Sequence, residues 1–478
     1  MSVVGSNVLV REVVDGIPSQ RKIPWKPTLY VKGAPKSGSS ELKTLYGDAA
    51  HAIQPGTIPE CKEFVKKYEN IHEYPIFGQL NFSLQFMHEY NPSGWLYSKI
   101  SAWSIDIETS IPEDSSGNTY FPTPDRADGT VLAITLVDMH SREAYTFGLN
   151  EKYDGKDTHY TQCPSEYILL KLFLDFWQQK RVDIITGWNI INFDIPYLHN
   201  RISQIVGDDA VNRLSPWGRV YYKTRMFKGR LEYDTQITGV SILDYIDLYK
   251  KHTQVKHESY SLGHIAMVEL GRTKVDHSEY ASFNEFWQKG WQKFIHYNIE
   301  DTQLVRMLDD KLRLIELVLT IAYESHINFT DVSSPVKTWD AIISNYCIDR
   351  NIVLPQQSRE SKQFLDGAYV KDPVPGWYYN VASLDATSLY PSIIMTNNIS
   401  PETFSGNCGA TIDEFLINKQ LSYSSDDHVI TPVGSMYSKE KRGVLPELVD
   451  YFMKLRKITK TEMLKLEQEY ENTKDKYE

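Results

Sequence analysis

Cysteine is scarce in this chain: Cys61, Cys163, Cys347 and Cys408 stand far apart, with no CxxC pair and no Cys/His ligand spacing. That excludes a disulfide framework and a zinc ribbon, and it fits a reducing cytoplasm. Long hydrophobic runs are missing as well. The most apolar stretch, 314–322, carries Glu316 in its middle, and the first fourteen residues have no apolar core of signal-peptide length; no segment is expected to span or enter a membrane. There is no internal repeat, and no low-complexity tract beyond a short Ser/Gly-rich turn at 37–40. An excess of positive charge is lacking too, since 51 Lys and Arg face 62 Asp and Glu for a net charge of −11. As a sum this argues against a nucleic-acid partner, because phosphate binding is driven by Lys and Arg. The sum decides little, however, when carboxylates that hold divalent metals can sit beside a local basic groove. Residues 439–465 alone hold eight Lys/Arg against four Asp/Glu.

What is present is globular material: 41% hydrophobic, 24% charged and 12% aromatic residues over 478 positions. At roughly 150 residues per domain the length predicts about three domains. Residues 1 to about 100 mix short apolar runs such as 28–31 with Gly/Pro/Ser punctuation and read as α+β. From Trp103 the pattern turns to mixed α/β, with strands over 104–108, 131–138, 144–148 and 182–185 and an amphipathic helix over 167–180. One long helical stretch, 298–323, carries the chain out of that region. Another apolar helical face follows at 339–347, and a third region begins near Phe364.

Three segments inside the α/β region carry acids in suggestive places. In Ser104-Ile105-Asp106-Ile107-Glu108-Thr109 the period of two puts Asp106 and Glu108 on one face with Ile105 and Ile107 behind. By itself that is an ordinary solvated strand face. In the 186–198 loop Asp194 precedes Pro196 at a helix start, where an Asp is commonly a helix cap. In His296-Tyr297-Asn298-Ile299-Glu300-Asp301 the Tyr297 and Asp301 side chains stand four apart and share one helix face.

Together and in this order, the three segments resemble the Exo I, Exo II and Exo III motifs of the proofreading domain of family B DNA polymerases. The resemblance implies a ribonuclease-H-like 3′→5′ exonuclease. Asp106, Glu108, Asp194 and Asp301 then hold two divalent ions, Mg²⁺ or Mn²⁺, and Tyr297 helps position the attacking water. Oxygen ligands suit those ions. The chemistry needs one ion to activate water and a second, about 4 Å away, to stabilise the departing 3′ oxygen. Phe193 and Tyr197 are candidates to stack on the terminal bases, or else core residues.

A second constellation, Val381-Ala382-Ser383-Leu384-Asp385-Ala386-Thr387-Ser388-Leu389-Tyr390-Pro391-Ser392, reads as an apolar strand ending at an Asp and a tight turn. Followed by Asn398-Ile399-Ser400-Pro401-Glu402-Thr403, it resembles motif A of the same family, in its T-even-like bacteriophage form. The resemblance implies that Asp385, with the Ala386 carbonyl, binds two catalytic metals, and that Ser388 and Leu389 offer backbone N–H groups to a deoxynucleoside triphosphate. Tyr390 is then the gate that rejects a 2′-OH. Asp366-Gly367-Ala368-Tyr369-Val370-Lys371 resembles the segment that touches template. Downstream, Pro446 opens a helix on which Arg456 and Lys460 stand four apart, resembling the first fingers helix that reaches triphosphate oxygens. Lys-x-x-x-Asn-Ser-x-Tyr-Gly and Asp-Thr-Asp strings, which the family also uses, do not occur in the sequence.

The expectation is therefore an α/β and α+β multidomain protein. An N-terminal domain takes 1–100 and 314–356, the exonuclease domain 101–313, a partial palm 357–442, and the start of the fingers 443–478. Its partners would be primer–template DNA, single-stranded 3′ ends, deoxynucleoside triphosphates, replisome proteins and a second chain with the rest of palm, fingers and thumb. That second chain would meet residues 443–478 and the open side of the Asp385 strand, in the cytoplasm of an infected bacterial host. The competing readings are a free-standing 3′→5′ exonuclease and a non-enzymatic RNA-binding regulator.

Overall fold

The computed structural model describes residues 1–14, 17–34, 41–69, 71, 73–90, 94–227, 229–253, 255–356, 372–418 and 425–474. The 37–40 turn, Phe364 and the 366–371 segment lie outside them. The chain divides into two compact units, the first built from residues 1–27, 55–63 and 81–342, the second from 28–54, 64–80 and 343–478.

The first unit is organised by a six-stranded mixed sheet. Its strands run His159–Gln162, Ala144–Gly148, Val131–Asp138, Ala102–Thr109, Ile184–Gly187 and Ser241–Asp244 from edge to edge. Ala102–Thr109 lies near the middle, antiparallel to Val131–Asp138 and parallel to Ile184–Gly187. Period two sorts the side chains of these strands into two cores. Trp103, Ile105, Ile107, Ile134 and Leu136 face one way, toward helices Glu166–Lys180 and Asp194–Ile205. Ala133 and Val137 face the other, against Phe294, Ile295 and Ile299 of helix Trp291–Leu312. Ser104, Asp106 and Glu108 alternate with the Ile residues and share that second side. Burial on the first side thus delivers two acids to the second.

The predicted strands and helix of this region are present, the 182–185 strand running instead from Ile184 to Gly187. The single helix expected over 298–323 is two, Trp291–Leu312 and Leu314–Ser325, because Arg313 adopts a left-handed φ of 52°. No Gly or Pro announces the break. Asp309 makes it, accepting the Ile315 N–H at 3.1 Å and the Tyr245 hydroxyl at 3.2 Å, so the new helix start is capped from the old one.

In the second unit a three-stranded antiparallel sheet, Phe404–Asn407, Ser435–Ser438 and His428–Ile430, accompanies two helices, Leu389–Thr396 and Val444–Lys474. The start of the long helix is held by the 398–403 segment. Asn398 donates to the Ser438 and Lys441 carbonyls and accepts the Gly443 N–H at 2.9 Å, Glu402 accepts the Val444 N–H at 2.6 Å, and Ser400 accepts that of Leu445 at 3.3 Å. This motif therefore caps a helix whose first N–H groups lack intrahelical partners. Pro446 sits in its first turn as expected. Among the described residues no helix is long and apolar enough to cross a membrane.

Candidate active site

Asp106, Glu108 and Asp301 bring one carboxylate oxygen each within 4.8 Å of one another, and among the described residues this is the one group of three or more potential metal ligands so placed. Two come from the Ala102–Thr109 strand and the third from the helix packed against it. Asp194 joins from helix Asp194–Ile205. Its carboxylate does not cap that helix but accepts the Ile107 N–H at 3.0 Å, which fixes it against the strand between the first two acids. It lies outside the closest three but adds its charge to theirs, raising the pKa of Asp106.

The loop that delivers Asp194 crosses close above Ile105. A Cβ at Gly187 would come within 2.5 Å of the Ile105 carbonyl oxygen and 2.4 Å of Ile190, so only glycine fits where the strand gives way to the loop. Asp244, a residue the sequence reading missed, pins the same loop. It is buried, and it accepts the N–H groups of Asn189 at 2.9 Å and Ile191 at 3.0 Å besides capping its own helix. Burial raises its pKa to about 6.

Lys274 was also missed. Its ammonium lies 2.5 Å from Asp301 and donates to the Tyr297 hydroxyl at 3.3 Å. A lone lysine in a polar loop carries no sequence signal, because only the fold decides what it faces. Burial disfavours its charge, but Asp301, Asp106 and Glu108 outweigh burial and hold its pKa above the usual value.

The acids go the opposite way. Burial, then Glu108, Asp194 and Asp301, pushes Asp106 well up; burial and Asp301 do the same to Glu108; burial raises Asp194 to about 7. Burial also raises Asp301 and, with Glu108 and Asp301, Tyr297, whose hydroxyl is therefore neutral. Four acids set against one ammonium form an all-oxygen donor set short of positive charge, and one buried oxygen of Asp301 has no hydrogen-bond partner. Both features fit divalent cations.

The aromatic candidates separate. Tyr197 is fully buried and donates to the Gly129 carbonyl at 2.6 Å, so it is core. Phe193 is half-buried with its ring 5.6 Å from that of the exposed Phe121.

The second constellation is open. The strand expected before Asp385 is not formed: residues 381–386 adopt no regular structure, and Val381 and Leu384 are 74% and 95% exposed. An apolar run becomes a strand only when a neighbour pairs its N–H and C=O groups, and no described strand pairs with this one. Asp385 is exposed and, among the described residues, belongs to no cluster of potential metal ligands. Ser388, with φ of 51°, turns the chain into helix Leu389–Thr396, where Leu389 and Tyr390 are exposed. Arg442 donates to the Met395 carbonyl at 2.8 Å, linking that helix to the segment that enters Val444–Lys474, on which Arg456 and Lys460 are exposed.

Comparison with known proteins gives two family matches: DNA polymerase family B, exonuclease domain, over residues 58–265, and DNA polymerase family B over residues 340–477. The first contains Asp106, Glu108 and Asp194, the second Asp385, Tyr390 and Arg456. Among curated relatives, the DNA-directed DNA polymerase of Escherichia phage RB69 is 34% identical over 96% of this chain and 53% of the relative. That of Enterobacteria phage T4 is 32% identical over 93% and 51%. The DNA polymerase delta catalytic subunit of Caenorhabditis elegans is 26% identical over 63% and 28%. The chain spans about half the length of the phage relatives. Two family matches that together take in most of the chain, and phage polymerases aligned along nearly all of it, leave one assignment: the chain belongs to the family B DNA polymerases.

Proposed function

We propose that this chain hydrolyses single-stranded DNA from its 3′ end, one nucleotide at a time, as the proofreading site of a DNA polymerase. The observation that carries the reading is the half-buried cluster of Asp106, Glu108 and Asp301 with Asp194 beside it and Tyr297 and Lys274 at its edge. The order of the six-stranded sheet supports a ribonuclease-H-like fold for this region.

The four acids would hold two Mg²⁺ or Mn²⁺ ions, whose Lewis acidity would activate water and stabilise the departing 3′ oxygen. The water oxygen bonds to phosphorus as the P–O3′ bond breaks. A 5′-mononucleotide leaves, and the shortened strand keeps a protonated 3′ hydroxyl. The neutral Tyr297 hydroxyl orients the attacking water, Lys274 offsets negative charge beside Asp301, and Phe193 with Phe121 stacks on a terminal base.

For nucleotide addition the reading is that Asp385 and the Ala386 carbonyl bind metal, Ser388, Leu389, Arg456 and Lys460 bind triphosphate, and Tyr390 excludes a 2′-OH. Such a site needs further carboxylates around its metals. A second polypeptide carrying the Asp-Thr-Asp turn and the Asn-Ser-x-Tyr-Gly helix would supply them, with replisome proteins as further partners, in an infected bacterial cell. The contrast between a half-buried cluster of acids at the first site and an exposed Asp385 favours the exonuclease reading for the residues described.

The test measures digestion of a labelled single-stranded oligonucleotide and extension of a primer, with and without that polypeptide. Digestion by the chain alone, lost in Asp106→Ala, is expected. Equal digestion by Asp106→Ala would sink the exonuclease reading, and no extension on adding the polypeptide would sink the two-chain one.

A further inference from the structure

We infer that Asn298 is a positioning residue of the exonuclease site, holding Asp106 in the orientation in which it can take a divalent cation. This rests on the proposed hydrolysis and assigns a function to a side chain lying between Tyr297 and Asp301 in sequence.

Asn298 is fully buried on helix Trp291–Leu312, with Ile295 and Ile299 in the same core. An amide there is an expensive choice, since a buried polar group is tolerated only where its hydrogen bonds are made. Its Nδ2 donates to Asp106 Oδ2 at 2.6 Å, a short contact to a carboxylate, while its own Oδ1 is buried without a donor. Half of the amide is thus left unsatisfied so that the other half can grip one oxygen of Asp106. A leucine would pack the same position with no such penalty.

Asp106 needs the grip. One carboxylate oxygen each of Asp106, Glu108 and Asp301 lies within 4.8 Å of the others, so like charges press on Asp106 and would turn its carboxylate away. A charge-assisted hydrogen bond opposes that. The helix that carries the amide is itself registered on the strand. The Thr302 hydroxyl donates to the Asn298 carbonyl at 2.8 Å, and Ser104 donates to the Thr302 carbonyl at 3.4 Å. Asn298 therefore reaches Asp106 from a fixed base, as outer partners of metal ligands do.

The experiment compares the full chain with Asn298→Ala and with Asn298→Asp, which keeps the size but sets an oxygen against Asp106. Mn²⁺ binding is followed by electron paramagnetic resonance, digestion by kcat and KM on a single-stranded oligonucleotide, and folding by the unfolding midpoint without metal. Both variants should weaken Mn²⁺ binding by about tenfold and lower kcat by about tenfold with KM within about twofold; Asn298→Ser, which keeps a hydroxyl donor, should recover part of both. Unchanged Mn²⁺ affinity in Asn298→Ala, with or without a lowered midpoint, would overturn the inference. If Asn298→Ala does not fold, Asn298→Asp against Asn298→Ser decides it, equal affinities overturning the assignment. Failure of the hydrolysis reading looks different: wild type and Asp106→Ala would then digest alike, whatever the Asn298 variants bind.

Discussion

The two acidic motifs of this chain end in opposite conditions. Asp106 lies on a strand paired on both sides, with a helix across its face, so its neighbours, charge and orientation are all set within the first unit. Asp385 lies in an exposed segment of the second unit that no described strand pairs, next to a turn that is well formed. Both motifs are equally clear as strings of letters. The difference is that a metal site needs ligands converging from several elements, whereas a turn needs only its own residues.

The largest test of that contrast is a pair of substitutions. Asp106→Ala should reduce single-strand digestion on the order of a thousandfold, and Asp385→Ala should leave it within about twofold. Loss of digestion in the second variant would mean that the two motifs are not separable.

The contrast also has a pH signature. With a folded pKa of about 7 for Asp194 and about 3.9 when unfolded, the folded chain keeps a proton that the unfolded chain has lost between those values. Metal-free stability should therefore fall as pH rises from about 4 to about 7, while Mn²⁺ affinity rises over the upper part of that range as the competing proton leaves. The unfolding midpoint of the first unit should drop by roughly 5 °C, and Asp194→Asn should flatten the trend. A midpoint that rises with pH in metal-free buffer would contradict the crowded-acid description.

Within the second unit, Asn398→Ala should destabilise the start of helix Val444–Lys474 by about 1–3 kcal/mol, because it strands buried polar groups. Hydrogen exchange at the Gly443 and Val444 amides reads it. The smallest effect belongs to Tyr390→Ala, which should change stability by no more than about 0.5 kcal/mol, since the residue is 73% exposed. A larger loss would show that this tyrosine packs rather than waits for a nucleotide.

Much of the first region was legible because its strands alternate cleanly and its helices are amphipathic. Ile105 and Ile107 announce which way Asp106 and Glu108 point, and the i, i+4 spacing brings Tyr297 and Asp301 to one face, where both meet Lys274. The break at Arg313 was invisible because a carboxylate, not a Gly or Pro, makes it. Lys274 and Asp244 were invisible because each acts on residues tens of positions away. Tyr197 and Phe193 looked alike in sequence, and the fold buried one.

By itself the sequence determined the local matters: the alternation of the central strand, the four acids and the tyrosine, the turn at Ser388 and the proline in the first turn of the last helix. These depend on interactions within a few residues, which pattern and propensity encode directly. Only the tertiary structure decided that three of the acids converge, that Lys274 and Asn298 donate to Asp301 and Asp106, that Asn398 and Glu402 cap a helix some 40 residues away, and that the segment before Asp385 is not a strand. Each of these turns on which distant backbone lies alongside, and a strand, a metal site or a buried amide has no stability until that neighbour is in place.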